Sequence, residues 1–212
     1  MSGAAHPPPP YLIRTERLVL RCWEPRDAPL LADAIDSSLD HLRPWMPWAD
    51  DEPRSLDDRV ALLRVFRGRF DLGEDFVYGV FSQDESEVLG GSGLHTRAGE
   101  GALEIGYWIR ASAVGRGHAR ETAAALTRVA FGVCGVDRVE IRVDPANEAS
   151  LRIPRALGFA EEAMLRRRLP GRVGSEPGDA VVFVLFAGEV VGTPVSTAPL
   201  EAFDALGRSI PL

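Results

Sequence analysis

The sequence predicts a mixed α/β domain built on one central sheet, and three observations carry that expectation. Short apolar or alternating segments, rich in Val, Ile, Phe and Tyr, recur between turn-forming clusters and read as strands. Between them lie four longer segments whose apolar residues recur at helical spacing. The order is β, α, α, a β meander, then βαβα and two closing strands, which requires parallel and antiparallel neighbours in one sheet.

In chain order, residues 15–23 read as a first strand and 25–35 as a helix with Pro25 in its first turn. A proline- and tryptophan-rich segment, HLRPWMPWADDEP, covers 41–53. Residues 55–70 form the second helix, with Ser55 as N-cap and Leu56, Val60, Leu63 and Phe66 or Phe70 on one face. Residues 76–81 and 88–96 form a hairpin around the polar QDESE turn. Residues 103–109 are the central strand, followed by a glycine-rich turn and a helix through Phe131. Residues 138–143 alternate as a strand, and 147–157 form a helix ending at Gly158, with Pro154 expected to bend it or remove a hydrogen bond. Residues 159–169 and 180–186 close the sheet across the loop PGRVGSEPGD. Residues 1–11 read as an extended, proline-rich lead, 12–187 as the domain, and 188–212 as a tail packed on the domain or a neighbouring subunit. A short helix is expected in that tail near 201–206.

Composition narrows the function. The 212 residues, 45% hydrophobic and 26% charged, suit one ordinary core. No stretch approaches the roughly 18 apolar residues of a membrane span. A net charge of −7 disfavours nucleic acid, which demands a basic face. Alternation along a strand would split Arg166, Arg167 and Arg168 between faces, which favours a solvated structural role for that run. Cys22 and Cys134 are too few and too isolated for a disulfide framework or a metal cluster, so no metal is expected and a reducing cytoplasm is the simplest setting. The start MSGAAHPPPP lacks the apolar core of a secretory signal.

The chemistry concentrates where the strand 103–109 feeds Gly115, Gly117 and small Ala119 at the head of a helix. Such a turn presents unpaired N–H groups at the positive end of a helix dipole, and glycine lets a phosphate approach without a Cβ in the way. The ligand implied is phosphate-bearing. The third glycine of the dinucleotide fingerprint is missing, and no G-K-S/T follows. Glycines that merely turn the chain into a helix are the plain alternative.

The run Val114-Gly115-Arg116-Gly117-His118-Ala119 resembles the coenzyme A signature Q/R-x-x-G-x-G/A of GCN5-related N-acetyltransferases, with Val114 replacing the polar first residue. Three further stretches resemble the RimJ/RimL branch: Arg14-Thr15-Glu16-Arg17-Leu18-Val19-Leu20-Arg21, the L-x-P-W-x-P-W segment, and Asn147-Glu148-Ala149-Ser150 with Leu157-Gly158-Phe159. The resemblance spans about residues 12–186. It implies the GNAT fold: a mixed sheet splayed between two parallel strands, here 103–109 and 138–143, with helices on both faces. It also implies acetyl-CoA or another short acyl-CoA as co-substrate. Backbone groups of Tyr107, Trp108 and Ile109 are then expected to hold the pantetheine arm. The N–H groups of Gly115, Arg116, Gly117, His118, Ala119 and Arg120 would take the pyrophosphate, with Asn147 on pantetheine.

The amine must lose a proton, attack the thioester and expel a thiolate, which needs a base, an oxyanion donor and an acid. By resemblance Glu104 is the candidate base, directly or through water, and Ser150 the acid. An ion-pair role for Glu104 and helix-start roles for Ser150 and Asn147 are the alternatives. Trp45, Met46, Trp48 and His95 are expected on the acceptor side, or packed into the core. The expected activity is N-acyl transfer, to a protein or peptide α-amine in the first instance. A small-molecule amine, a succinyl-type donor, or a CoA-binding module without turnover are the alternatives. No nucleic-acid or membrane partner is expected, and a homodimer is allowed. The chain contains no lysine, so such an enzyme has no lysine side chain of its own to acylate.

Overall fold

The structure is a computed structural model that describes residues 7–171 and 175–212. Its strands are β1 (Leu12–Thr15), β2 (Val19–Cys22), β3 (Phe76–Phe81), β4 (Val88–His95), β5 (Ala102–Ile109), β6 (Arg138–Val143), β7 (Ala160–Leu169), β8 (Gly178–Phe186), β9 (Leu200–Phe203) and β10 (Ser209–Ile210). The helices are α1 (Ala28–Asp36), α2 (Leu39–Leu42), α3 (Leu56–Leu72), α4 (His118–Gly132) and α5 (Glu148–Leu157). All the strands join one sheet in the order β10-β9-β1-β2-β3-β4-β5-β6-β8-β7. Every pairing is antiparallel except β5 with β6. The mixed α/β fold anticipated from the element order is therefore the one observed.

Helices cover both faces because the strands alternate apolar side chains to both. On one face Leu103, Ile105, Val139 and Ile141 pack with Ala123, Leu126 and Val129 of α4 and Leu151 and Leu157 of α5. On the other, Val19, Phe81 and Val88 pack with Leu31, Ala34 and Ile35 of α1 and Leu63 of α3. No helix among the described residues is long and apolar enough to cross a membrane.

Several expectations are corrected. The first strand is a hairpin: the Thr15 N–H donates to the Leu18 carbonyl at 2.9 Å and its hydroxyl accepts from the Leu18 N–H at 3.1 Å. That side chain closes the reversal locally, as Thr does in ST-turns. On α3 the buried face is Arg59, Leu63 and Phe70, whereas Leu56 is 51% exposed. Arg59 takes an interior position because Glu52 and Asp36 meet its guanidinium. The segment expected as a helix near 201–206 begins instead as β9, which supplies partners to the otherwise open backbone edge of β1. The lead is tied down before residue 12, since Pro9 and Pro10 are buried and Tyr78 Oη donates to the Pro10 carbonyl at 2.6 Å. Arg166, Arg167 and Arg168 are all exposed on the edge strand β7, where a left-handed residue, Arg167 at φ 54°, interrupts the alternation. The loop expected over 170–179 lies partly outside the described residues.

Candidate active site

The two parallel strands pair for only three registers, Ala102 with Arg138, Leu103 with Val139 and Glu104 with Glu140. Beyond Glu104 they diverge, leaving residues 105–109 without a neighbour on the β6 side. The Arg110 N–H donates to the Leu89 carbonyl at 2.9 Å and the Gly106 carbonyl receives the Ser92 hydroxyl at 2.7 Å, both on the β4 side. In an antiparallel ladder backbone groups alternate sides, so Gly106 and Trp108 are committed to β4, the Ile105 N–H faces the last rung to β6, and Tyr107 and Ile109 turn theirs into the opening. Of the three residues expected to offer backbone groups there, Tyr107 and Ile109 do so and Trp108 does not.

At the open end lies the glycine turn. Gly115 and Gly117 have φ of 74° and 82°, a region that disfavours side chains. A Cβ on Gly115 would meet nothing within 4 Å, so the loop faces open space. The N–H groups of His118, Ala119 and Arg120 open α4 and have no intrahelical acceptor. Arg116 and Arg120 are exposed. Arg17, from the β1–β2 turn, braces this loop by donating to the Arg116 carbonyl at 2.8 Å and to Glu121 at 2.7 Å. His118 keeps a buried Nδ1 without a partner, and burial together with Arg17 and Arg116 pushes its proton affinity down.

Tyr107 and Ser150 meet across the opening. Their hydroxyls lie 3.2 Å apart, and Tyr107 Oη lies 3.4 Å from the Ser150 carbonyl. That carbonyl is available because its helical donor would be residue 154, a proline without an N–H. Pro154 thus leaves α5 regular to Leu157 while removing one hydrogen bond where Tyr107 arrives. Burial pushes the Tyr107 hydroxyl up to about 12, against the opposing effect of Ser150, so it stays protonated at neutral pH. Asn147 caps α5, its Oδ1 accepting from the Ser150 N–H at 3.1 Å. The cap orients Ser150, and the Asn147 side-chain N–H groups have no partner among the described residues.

The other face of β5 carries Glu104, Gly106 and Trp108, opposite His95, Gly93 and Gly91 of β4. The His95 ring lies over the two middle glycines, since a Cβ on Gly93 would come 2.7 Å from it and one on Gly106 3.5 Å. Trp108 covers Gly91 in the same way and meets Trp48 edge-on, ring centroids 5.8 Å apart. Trp48 is therefore partly core, while Trp45 and Met46 are half-buried beside it in sequence. Glu104 is buried, with Oε1 accepting from Arg97 and Oε2 3.4 Å from Arg142 Nε. Of its two readings, the geometry displays the ion pair. Glu140 alongside is likewise held, by Arg138 and Arg142 at 3.0 Å each. No group of three or more His, Cys, Asp or Glu side chains among the described residues is arranged to hold a metal.

Residues 17–160 match the family described as the acetyltransferase (GNAT) domain, and the chain belongs to that family. It is an acetyltransferase of the RimJ/RimL-like kind. The [ribosomal protein uS5]-alanine N-acetyltransferase of Escherichia coli (strain K12) is 29% identical over 159 residues, 73% of this chain and 80% of that protein. An N-acetyltransferase named p20 from Bacillus licheniformis is 27% identical, across 84% of this chain and 97% of the relative. Among solved structures, Mycobacterium smegmatis RimJ in complex with CoA-disulfide superposes with a TM-score of 0.76 at 23% identity, covering 90% of this chain and 94% of that one. RimL, a ribosomal L7/L12 α-N-protein acetyltransferase in complex with coenzyme A, does so at 0.73 and 20% identity, over 82% and 97%. At those identities the shared property is the fold.

Proposed function

We propose that this chain transfers the acetyl group of acetyl-CoA to the N-terminal α-amine of a protein, in the cytoplasm and by direct attack within a ternary complex. The observation that carries this is the three-rung pairing of β5 and β6, because the gap beyond it leaves strand-edge amides of Tyr107 and Ile109 facing a slot that leads to the glycine turn. An extended amide-bearing arm can add there as a strand does. The diphosphate then meets the N–H groups from Gly115 to Arg120. Asn147 would contribute its side-chain amide to the arm. Ser150, in contact with Tyr107, protonates the departing thiolate.

A protein acceptor is supported by the E. coli relative, named for an alanine of ribosomal protein uS5. The half-buried aromatic segment of Trp45, Met46 and Trp48 offers apolar contact surface for such a chain. The test is a thermal-shift panel of acetyl-, succinyl- and longer acyl-CoA, followed by mass spectrometry of peptides exposed to the preferred donor. The expected result is stabilisation by acetyl-CoA and a gain of one acetyl group on peptide N-termini. No stabilisation by any CoA thioester would overturn the reading.

A further inference from the structure

The face of β5 opposite Tyr107 carries a second pair of titratable groups besides Glu104. His95 Nδ1 lies 2.8 Å from Asp75 Oδ1. A carboxylate only accepts, so in the neutral ring the proton sits on Nδ1 and Nε2 carries the lone pair. Nε2 accepts no hydrogen bond from the described residues. The ring lies over Gly93 and Gly106, and a Cβ on Gly93 would come 2.7 Å from it. Gly106 directly precedes Tyr107, whose backbone faces the pantetheine slot, so Nε2 overlies the strand residue next to the slot. Glu104, across the ladder from His95, accepts from Arg97 at Oε1, while Oε2 lies in an ion pair 3.4 Å from Arg142 Nε and accepts no hydrogen bond from the described residues.

We propose that His95 is the general base of the acyl transfer and Asp75 its positioning residue, with Glu104 serving as the ion-pair anchor of Arg97 and Arg142. This rests on the acetyltransferase reading above. In the step, His95 Nε2 takes a proton from the acceptor ammonium, and the freed nitrogen lone pair attacks the thioester carbonyl carbon. The C–N bond forms and the C–S bond breaks. The thiolate leaves with a proton from the Ser150–Tyr107 pair, the new amide nitrogen gives up its second proton to water, water reprotonates the pair, and His95 returns its own proton to solvent. The charged groups around the ring are Asp75 on Nδ1, Glu104 opposite, and Arg97 and Arg142 behind Glu104.

The experiment measures thiol release from acetyl-CoA with the N-terminally free peptide that the wild-type protein acetylates best, across pH, for wild type, His95→Gln, Asp75→Asn and Glu104→Gln. Calorimetric titration with CoA and thermal melts accompany each variant. His95→Gln is expected to lower kcat/KM about 100-fold and to abolish the acid limb of the profile, with CoA binding retained. Asp75→Asn is expected to lower kcat about tenfold with KM for the peptide and Kd for CoA unchanged, because the ring loses the carboxylate acceptor that fixes its tautomer. Glu104→Gln is expected to keep the limb. A loss below about threefold in His95→Gln, or disappearance of the limb in Glu104→Gln instead, overturns the assignment while leaving the acetyltransferase reading intact. If His95→Gln fails to fold, Asp75→Asn decides, and an unchanged kcat there overturns it. Absence of peptide-dependent thiol release by wild type overturns both.

Discussion

The Tyr107 hydroxyl stands 3.2 Å from that of Ser150, so a strand on one side of the break in the sheet and a helix on the other share a single proton-bearing contact. Replacing Ser150 by Ala is expected to lower kcat on the order of 100-fold with little change in KM for acetyl-CoA. Tyr107→Phe, which removes only the partner, should cost about tenfold. Steady-state thiol release checks both. A Ser150→Ala loss below about threefold would remove this serine from the mechanism.

Gly117→Ala places a side chain at φ 82° on the residue that starts α4, beside Arg17 at 3.4 Å. The strain is about 1–2 kcal/mol. If it is relieved by rotating the loop amides, CoA affinity should fall roughly 5–30-fold. Titration calorimetry reads this directly, and an unchanged Kd would mean that the turn does not set the phosphate contacts.

Arg59 is 1% exposed at its side chain and donates at 2.8 Å to Glu52, itself 3% exposed. Arg59→Ala strands a buried carboxylate and should destabilise the fold by roughly 3–5 kcal/mol in urea titration. Coupling Arg59→Met with Glu52→Gln, which removes both charges, should recover much of that loss. The pair anchors the end of the segment carrying Trp45, Met46 and Trp48, so the single variant is also expected to raise KM for the peptide acceptor.

Alkaline pH should destabilise the protein in a defined window. Burial pushes the Cys134 thiol up to about 12 from 9.0 and raises the Tyr78 hydroxyl well above 10.0. A raised folded-state value means that the unfolded chain loses its proton first. The Cys134 contribution is therefore full below pH 9 and is lost as the pH rises toward 12. Denaturant melts from pH 8 to 11 should show stability falling, and Cys134→Ala should flatten the slope over that range.

Most of the fold was legible because period and punctuation agreed: β3 and β6 run over the ranges that the alternation indicates, and Asn147 and Gly158 bracket α5 as their caps suggest. The glycine turn was legible for the same local reason. What escaped was long-range. Nothing near Asp75 in sequence announces that it meets His95, and the Arg17–Glu121 brace joins residues a hundred positions apart. Arg59 breaks the apolar stripe of α3, and only its partners explain why. Residues 201–206 read as a helix because the pairing of 201–203 with β1 is set by an open edge far upstream. One signal was available and was only half used: Pro154 stands four residues after Ser150, so the carbonyl it releases belongs to a candidate catalytic residue.

With so few rungs between β5 and β6, the two halves of the sheet are joined at their centre by a short staple, and past Glu104 the two strands are unpaired. A strand-like guest in the slot would lengthen that staple. The amides of Tyr107 and Ile109 should then exchange with deuterium quickly in the empty protein and slowly once CoA is added. The donor would in this way be a structural member of the sheet before it is a reactant.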